Sequence, residues 1–507
     1  MCGIAAQYGA TDPAAGRRML ARMAHRGPDD EGSVDLGHAW LGHRRLSIVD
    51  VAGGHQPLVG SDDDTFLVGN GEVYNHDSLR GRLSGARFRT ASDNEVALHV
   101  VEQDGPDGLA ELNGMYAFAV ADRAGGFLAA RDPVGIKPLY WARLGATTVF
   151  ASEMTAFEPD QMSRIEAFPP GHYWTPEGGL VEFAPAVPSA LRETAPSRLG
   201  PDEVPADALR DVRWVLVDAV ERQMMGDVPV GVFLSGGLDS TLVAAIAQRY
   251  LGRRGARLQT FAVGLDGSPD LLAARTAAEF IGTDHHERVY TAAEATAALP
   301  AVVESIEAFD PSLVRSAVPN HLLAELAAEH VKVVLTGEGA DELFAGYGYM
   351  RDFDDPARLH GELVRTVEGL HNLNLQRCDR VTMAHGLEAR VPFLDRETIG
   401  HALRIPAAWK LTAHGQPEKH LLRAAFDGWV PDELLWRDKS QFGDGSGAAS
   451  VLTDEFAATV TDAELAAERD AVDPPLRTHE ELAYFRIFRD RVGPVRPELT
   501  LGRFATA

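Results

Sequence analysis

Lysine is scarce in this 507-residue chain: Lys137, Lys332, Lys410, Lys419 and Lys439 are the only five among 48 basic residues. Where composition so favours Arg, a retained Lys points to a place that wants a compact point charge rather than a planar fork. Cysteine is scarcer still. Cys2 and Cys378 stand alone, which excludes a disulfide framework and a cysteine-rich zinc site. No apolar run reaches the roughly 18 residues a membrane span needs. The start Met1-Cys2-Gly3-Ile4 lacks the basic region and long apolar core of a secretory signal. A cytoplasmic protein without a membrane partner is expected. Positive charge is in deficit too: the net charge of −26 argues against a nucleic-acid partner, because phosphate neutralisation needs clustered cations. Acidity of this size also favours solubility.

What is present is ordinary globular composition, 45% apolar, at a length that suggests two or three domains. The first 180 residues carry short β-type runs, Ala39–Gly42, Thr65–Val68, Met115–Val120 and Thr148–Ala151, between Gly, Pro and Asp turns. Helical stretches around Ala14–Ala24 and Asn94–Gln103 interrupt them, so antiparallel sheet with helices packed on it is expected. A segment punctuated by Pro185, Pro188, Pro196, Pro201 and Pro205 reads as a linker. Beyond it, an amphipathic stretch Ala206–Gln223 leads to an alternation of short apolar strands (Val228–Leu234, Leu258–Leu265, His286–Tyr290, Val331–Thr336) with helices. That alternation argues for a parallel α/β sheet. The region past 355 reads as mostly helical.

Cys2 directly after Met1 is the first chemical clue. A small second residue permits removal of Met1, leaving a thiol nucleophile with its own α-amine, of pKa roughly 7.7–8.0, as the neighbouring base. His25-Arg26-Gly27-Pro28-Asp29, Arg45-Leu46-Ser47-Ile48-Val49-Asp50, Asn70-Gly71-Glu72-Val73-Tyr74-Asn75 and Ser92-Asp93-Asn94-Glu95 follow in that order. Together these motifs resemble class II glutamine amidotransferases, whose glutaminase domain is an α+β N-terminal nucleophile hydrolase fold, antiparallel sheets sandwiched by helices. Arg131–Tyr140 and Ala151-Ser152-Glu153 are similar to that family as well. The residue chemistry suits L-glutamine. Arg45 can grip its carboxylate with two hydrogen bonds, and Glu72 and Asp93 supply anions for its ammonium. The Asn70 amide and Gly71 N–H can face the oxyanion formed when the thiolate attacks, with Gly71 letting the backbone come close.

The second clue is Val232-Phe233-Leu234-Ser235-Gly236-Gly237-Leu238-Asp239-Ser240, a strand running through a glycine loop into a helix. Backbone N–H groups, the Ser235 and Ser240 hydroxyls and a helix N-terminus make an anion cradle. No Lys follows the glycines, unlike the GxxxxGK[ST] loop. The segment is similar to the pyrophosphate loop of enzymes that cleave ATP between the α- and β-phosphates. With Leu335-Thr336-Gly337-Glu338-Gly339-Ala340-Asp341, Glu388–Asp395 and Lys439-Ser440-Gln441-Phe442, the chain resembles the glutamine-hydrolysing asparagine synthetase family from Cys2 to about 445, and more weakly over the last sixty residues.

The resemblance implies a glutaminase domain at 1–185, a linker at 186–205 and, at 206–507, an ATP-dependent synthetase domain. The latter would have an α/β pyrophosphate-loop, adenine nucleotide alpha hydrolase-like fold and a helical C-terminal region. It implies that Asp239 and Asp341 hold Mg²⁺ and that Lys439 neutralises the leaving pyrophosphate. Phe233, Val263, Thr336 and Gly337 would line the adenosine, and Glu338 would be the base for ammonia attack. Cys378 and Lys419 are given structural roles. The acceptor, L-aspartate or a related carboxylic acid, falls to Ser312 and Arg315. Here Asp310-Pro311-Ser312-Leu313-Val314-Arg315-Ser316 departs from the family, whose members often carry Thr-Thr before the Arg. The same chemistry on a different acid is therefore the alternative. Cys2, Arg45 and Asp93 disfavour a β-lactam synthetase, and Ser-Gly-Gly-Leu-Asp-Ser disfavours a phosphoribosyl amidotransferase. A homodimer is compatible with all of this.

Overall fold

Large and small residues alternate through Tyr116-Ala117-Phe118-Ala119-Val120-Ala121, and a period of two turns them to opposite faces of a strand. The computed structural model describes residues 2–412, 416–437, 446–447, 452–453, 456 and 458–504, and it shows what each face meets. Twelve strands precede residue 183: Gly3–Tyr8 (β1), Asp30–Asp35 (β2), Ala39–Arg45 (β3), Leu58–Val59 (β4), Thr65–Val73 (β5), Gly114–Asp122 (β6), Phe127–Arg131 (β7), Tyr140–Leu144 (β8), Thr147–Ala151 (β9), Ile165–Ala167 (β10), His172–Thr175 (β11) and Gly179–Glu182 (β12). They form two antiparallel sheets, ordered β10-β8-β9-β1-β3-β2 and β12-β11-β7-β6-β5-β4. Ala117, Ala119 and Ala121 of β6 pack with Ile4, Leu41 and Phe150 of the other sheet. Tyr116, Phe118 and Val120 pack with Val96 and Val100 of the helix Asn94–Asp104. The far face of the first sheet meets Met19 and Leu20 of the helix Pro13–Arg22. Small residues therefore lie where sheet meets sheet, and large ones where sheet meets helix. The result is the helix–sheet–sheet–helix sandwich expected from the sequence.

The second half is built on a parallel sheet of Val230–Phe233 (β13), Gln259–Gly264 (β14), Asp284–Val289 (β15), Val333–Leu335 (β16) and Glu388–Arg390 (β17), in the order β15-β14-β13-β16-β17. Four of these strands match the alternation seen in the sequence, and the helix Ala206–Gln223 matches residue for residue. β17 has only three residues, two of them charged, so it gives no apolar run to detect. The chain leaves β13 toward β14 and β15, then returns to the other side with β16. The crevice between the carboxyl ends of β13 and β16 is thus the topological switch point, where such sheets bind ligands. Among the described residues no helix is long and apolar enough to cross a membrane.

The segment after β12 packs on the second half. Leu191 is buried and its carbonyl contacts His360 Nε2 at 2.9 Å, Trp409 Nε1 donates to Ser197 Oγ at 3.0 Å, and Ala407 N donates to Thr194 Oγ1 at 2.9 Å. The two halves also meet through buried ions. The Arg26 guanidinium lies 2.8 Å from Glu153 and 2.9 Å from Asp379. Arg380 lies 2.9 Å from both Glu153 and Glu307, while Glu307 accepts from the Met154 and Thr155 backbone at 3.0 and 2.6 Å. Against a burial that would raise it, His25, Arg380 and Arg26 hold the Glu153 carboxyl well below the usual carboxylate range. Two of these pairs, Arg26–Asp379 and Arg380–Glu153, cross between the halves, and every ion in the set faces an opposite charge, the arrangement that makes burial of charge tolerable.

Candidate active sites

The first site forms where β1, β3 and β5 come together. Cys2 precedes β1, and its backbone N donates to Asn70 Oδ1 at 3.0 Å. Its Sγ lies 4.0 Å from the Leu46 carbonyl, next to Arg45 at the end of β3. Burial pushes the Cys2 thiol up from its ordinary value, so a nearby base must take its proton before it attacks. The Asn70 Nδ2 amide is buried with no hydrogen-bond partner. A buried donor without an acceptor costs on the order of 1–3 kcal/mol, and its place beside the Cys2 nitrogen suits a donor reserved for an oxyanion.

Gly71 has φ +140°, and a Cβ there would stand 1.9 Å from the Met115 carbonyl of β6. The need for glycine comes from the neighbouring strand, where the sequence suggested close approach of a substrate. Arg45 is held by the carbonyls of Val49, Asp50 and Val51 at 3.2, 2.7 and 3.2 Å. Glu72 and Asp93 are both buried, and burial raises the Asp93 carboxyl above its ordinary value. Burial first, then Asp93 and Glu388, push the Glu72 carboxyl well above the usual range. Glu72 Oε1 also faces Arg390 of β17 at 3.4 Å.

The second site fills the crevice between β13 and β16, a cavity of about 640 Å³. Phe233, Ser235, Gly237, Asp239, Ser240, Val263, Thr336, Gly337, Glu338 and Asp341 all line it, as do Ser312 and Arg315. Gly236 sits in the same loop with φ +71°, its α-carbon turned against the helix Pro269–Ile281, where a Cβ would meet Ala273 backbone at 2.4 Å. The loop is held open by its own serines. The Ser235 and Ser240 hydroxyls lie 3.1 Å apart, and Ser235 Oγ accepts from Gly237 N at 3.3 Å. Arg437, which sequence patterning did not single out, donates to the Gly236 carbonyl at 3.3 Å and to Asp270 at 3.2 Å. Lys439 lies outside the described residues.

Lys419, given a structural role from the sequence, lines the cavity. Its ammonium lies 2.5 Å from Asp239 Oδ2 and 2.6 Å from Asp341 Oδ1, tying the loop after β13 to the loop after β16. Despite its burial, the two carboxylates raise Lys419 above an ordinary lysine. Scarcity of lysine was the one signal that could have found it. Cys378, on the helix Asn374–Met383, also lines the cavity, its Sγ 4.0 Å from Thr336 Oγ1, and burial pushes its thiol up to about 12.

Both acceptor residues proposed from the sequence line the cavity. Ser312 and Arg315 lie on the first turns of the helix Pro311–Ala328, capped by Asp310. The two-pronged face of Arg315 is already taken, with Nε donating to Glu480 at 2.9 Å and Nη2 paired with the same carboxylate. Leu313 is buried against the core, which explains why the helix has an apolar residue there. Glu338 pairs with Arg377, whose Nη1 donates to Ser316 Oγ at 2.8 Å. A further acid, Glu342, lines the cavity. Burial and then Asp341 push it up to about 7, and Tyr347 donates to it at 2.5 Å.

Comparison with known proteins agrees with this layout. A family model described as a glutamine amidotransferase domain matches residues 1–174, and one described as asparagine synthase matches 211–355 and 348–485. A glutamine-hydrolysing asparagine synthetase of Sandersonia aurantiaca is 38% identical, covering 97% of this chain and 97% of that one. Another, from Asparagus officinalis, is 39% identical over 97% and 86% of the two chains. A third, from Arabidopsis thaliana, is 41% identical over 88% and 79%.

Proposed function

Since the chain belongs to the glutamine-hydrolysing asparagine synthetase family, we propose that it releases ammonia from L-glutamine at Cys2 and uses it to amidate L-aspartate activated by ATP. The observation that carries this reading is the pairing of two sites in one chain: a buried thiol beside an unpartnered Asn70 amide, and a 640 Å³ cavity floored by the Ser235–Ser240 loop.

In the first site the Cys2 nitrogen, freed by loss of Met1 and oriented by Asn70 Oδ1, takes the thiol proton. The thiolate then attacks the glutamine amide while Asn70 Nδ2 and the Gly71 N–H receive the developing oxyanion. Arg45 holds the glutamine carboxylate, and Glu72 and Asp93 face its ammonium.

In the second site the N–H groups and hydroxyls of the Ser235–Ser240 loop cradle the ATP phosphates. The aspartate side-chain carboxylate attacks the α-phosphorus, giving an aspartyl-adenylate and pyrophosphate. Ammonia displaces AMP, with Glu338 accepting the proton. Asp239 and Asp341 are hard oxygen donors of the kind Mg²⁺ takes and would hold it beside the Lys419 ammonium that pairs with both. When bound there, Mg²⁺ would neutralise pyrophosphate charge. Arg315 keeps Nη1 for the aspartate α-carboxylate, a one-armed contact with Ser312 beside it.

The experiment is product analysis with glutamine, aspartate and ATP, in wild type and in Cys2→Ala. Wild type should yield asparagine, AMP and pyrophosphate. The variant should lose glutamine hydrolysis and still make asparagine from ammonia. ADP as the nucleotide product, or glutaminase activity surviving in the variant, would overturn the mechanism.

A further inference from the structure

The loop that fixes Arg45 is itself under strain. Asp50 has φ +50°, a left-handed conformation uncommon outside glycine and held only where surroundings over-determine it. Several contacts do this. Asp50 Oδ2 accepts from Ala91 N at 2.7 Å and Oδ1 from Gly53 N at 3.0 Å. The Asp50 carbonyl accepts from Arg45 at 2.7 Å.

The remaining contacts come from the other half of the chain. Asp50 N donates to Asp227 Oδ2 at 2.7 Å, and Asp227 N donates to the Ile48 carbonyl at 2.9 Å. One exposed residue thus brackets the loop on both sides of Val49. Asp227 stands three residues before β13, the strand that runs into the Ser235–Ser240 loop. The segment it belongs to is braced as well, because Arg390 donates to the carbonyls of Gln223 and Met225 at 2.6 and 2.5 Å while facing Glu72.

We propose that Asp227 is a positioning residue for glutamine hydrolysis: it holds the 48–50 backbone, and through it the Arg45 guanidinium, so that the glutamine pocket is complete only when the synthetase half is docked. This rests on the assignment of Arg45 to the glutamine carboxylate. Asp227 touches neither Cys2 nor the nucleotide cavity, and its part in the reaction runs through the backbone it clamps.

The test compares Asp227→Ala and Asp227→Asn with wild type in two assays, glutamine hydrolysis and asparagine formation from ammonia. Losing a hydrogen bond to the strained loop should raise the glutamine KM of Asp227→Ala by about tenfold, with the ammonia-dependent rate and the ATP KM unchanged. Asp227→Asn keeps an accepting oxygen and should restore the wild-type glutamine KM. A wild-type KM in Asp227→Ala overturns the proposal. So does an equal loss in both assays, which would make Asp227 a structural residue of the synthetase half. An Asn variant as impaired as the Ala variant also overturns it. Arg45→Lys serves as the control for the underlying assignment: an unchanged glutamine KM there would defeat the role of Arg45 independently of Asp227.

Discussion

Replacing Lys419 with Met keeps the length of the side chain and removes its charge. In the native protein that ammonium lies 2.5 and 2.6 Å from Asp239 and Asp341. Without it, two carboxylates stand within about 5 Å of each other, and at an effective dielectric of about 20 their repulsion is about 3 kcal/mol. The variant should therefore be destabilised by about 3 kcal/mol, in the range found when one partner of a buried ion pair is removed. The loop after β13 and the loop after β16 should also lose their register, so ammonia-dependent asparagine formation should fall by at least about a hundredfold. Glutamine hydrolysis at Cys2 should continue. Urea denaturation followed by tryptophan fluorescence measures the first effect. Millimolar Mg²⁺ should recover part of the lost stability in the variant, because a second cation can then bridge the two acids. A Lys419→Met protein with the wild-type urea midpoint, or with wild-type synthesis from ammonia, would refute the reasoning.

Arg315→Lys keeps a charge beside Glu480 and removes the free Nη1, so the aspartate KM should rise by about tenfold, with the glutamine and ATP KM values unchanged. An unaltered aspartate KM would remove Arg315 from the acceptor site. The buried His99 lies 2.7 Å from Glu102 and 3.6 Å from Glu95. Against its burial, these partners raise its pKa from the ordinary 6.5 to about 9. A raised histidine contributes stability that is fully present below about pH 6.5 and is lost as pH rises through about 9. Thermal midpoints of wild type should fall between pH 6 and pH 9 more steeply than those of His99→Gln, and parallel curves would contradict this ion triad.

Most of the fold was legible because its elements are long and periodic. The alternation in β6 and the amphipathic run Ala206–Gln223 each encode one face and therefore one packing layer. β17 escaped notice because two of its three residues, Glu388 and Arg390, are charged. Their burial makes sense only once Arg390 is seen to reach Glu72 and the 223–225 carbonyls. The cavity residues were legible in a different way, through strand–loop–helix motifs that keep chemistry and local backbone together. Lys419 lies 180 residues from Asp239 in a stretch with no motif, so only the tertiary fold makes it part of the site. Glu480 is the same case: nothing near Arg315 in sequence tells that a distant helix will occupy its guanidinium.

The ions shared by Arg26, Glu153, Glu307, Asp379 and Arg380 bear on how such a chain could be inherited or rebuilt. Each half carries part of a network that closes across their contact, where Arg26 meets Asp379 and Arg380 meets Glu153. Cut within 186–205, the glutaminase fragment would keep Arg26 without Asp379, and the synthetase fragment would keep Arg380 without Glu153. Either fragment then holds an ion short of the partner that compensates its burial, a loss of about 3–5 kcal/mol when one member of a buried pair is removed. Exchange of one half for that of a distant relative meets the same obstacle unless the matching acids and arginines travel with it. The two catalytic modules are thus bound to a common lineage by their contact surface as much as by the peptide that joins them.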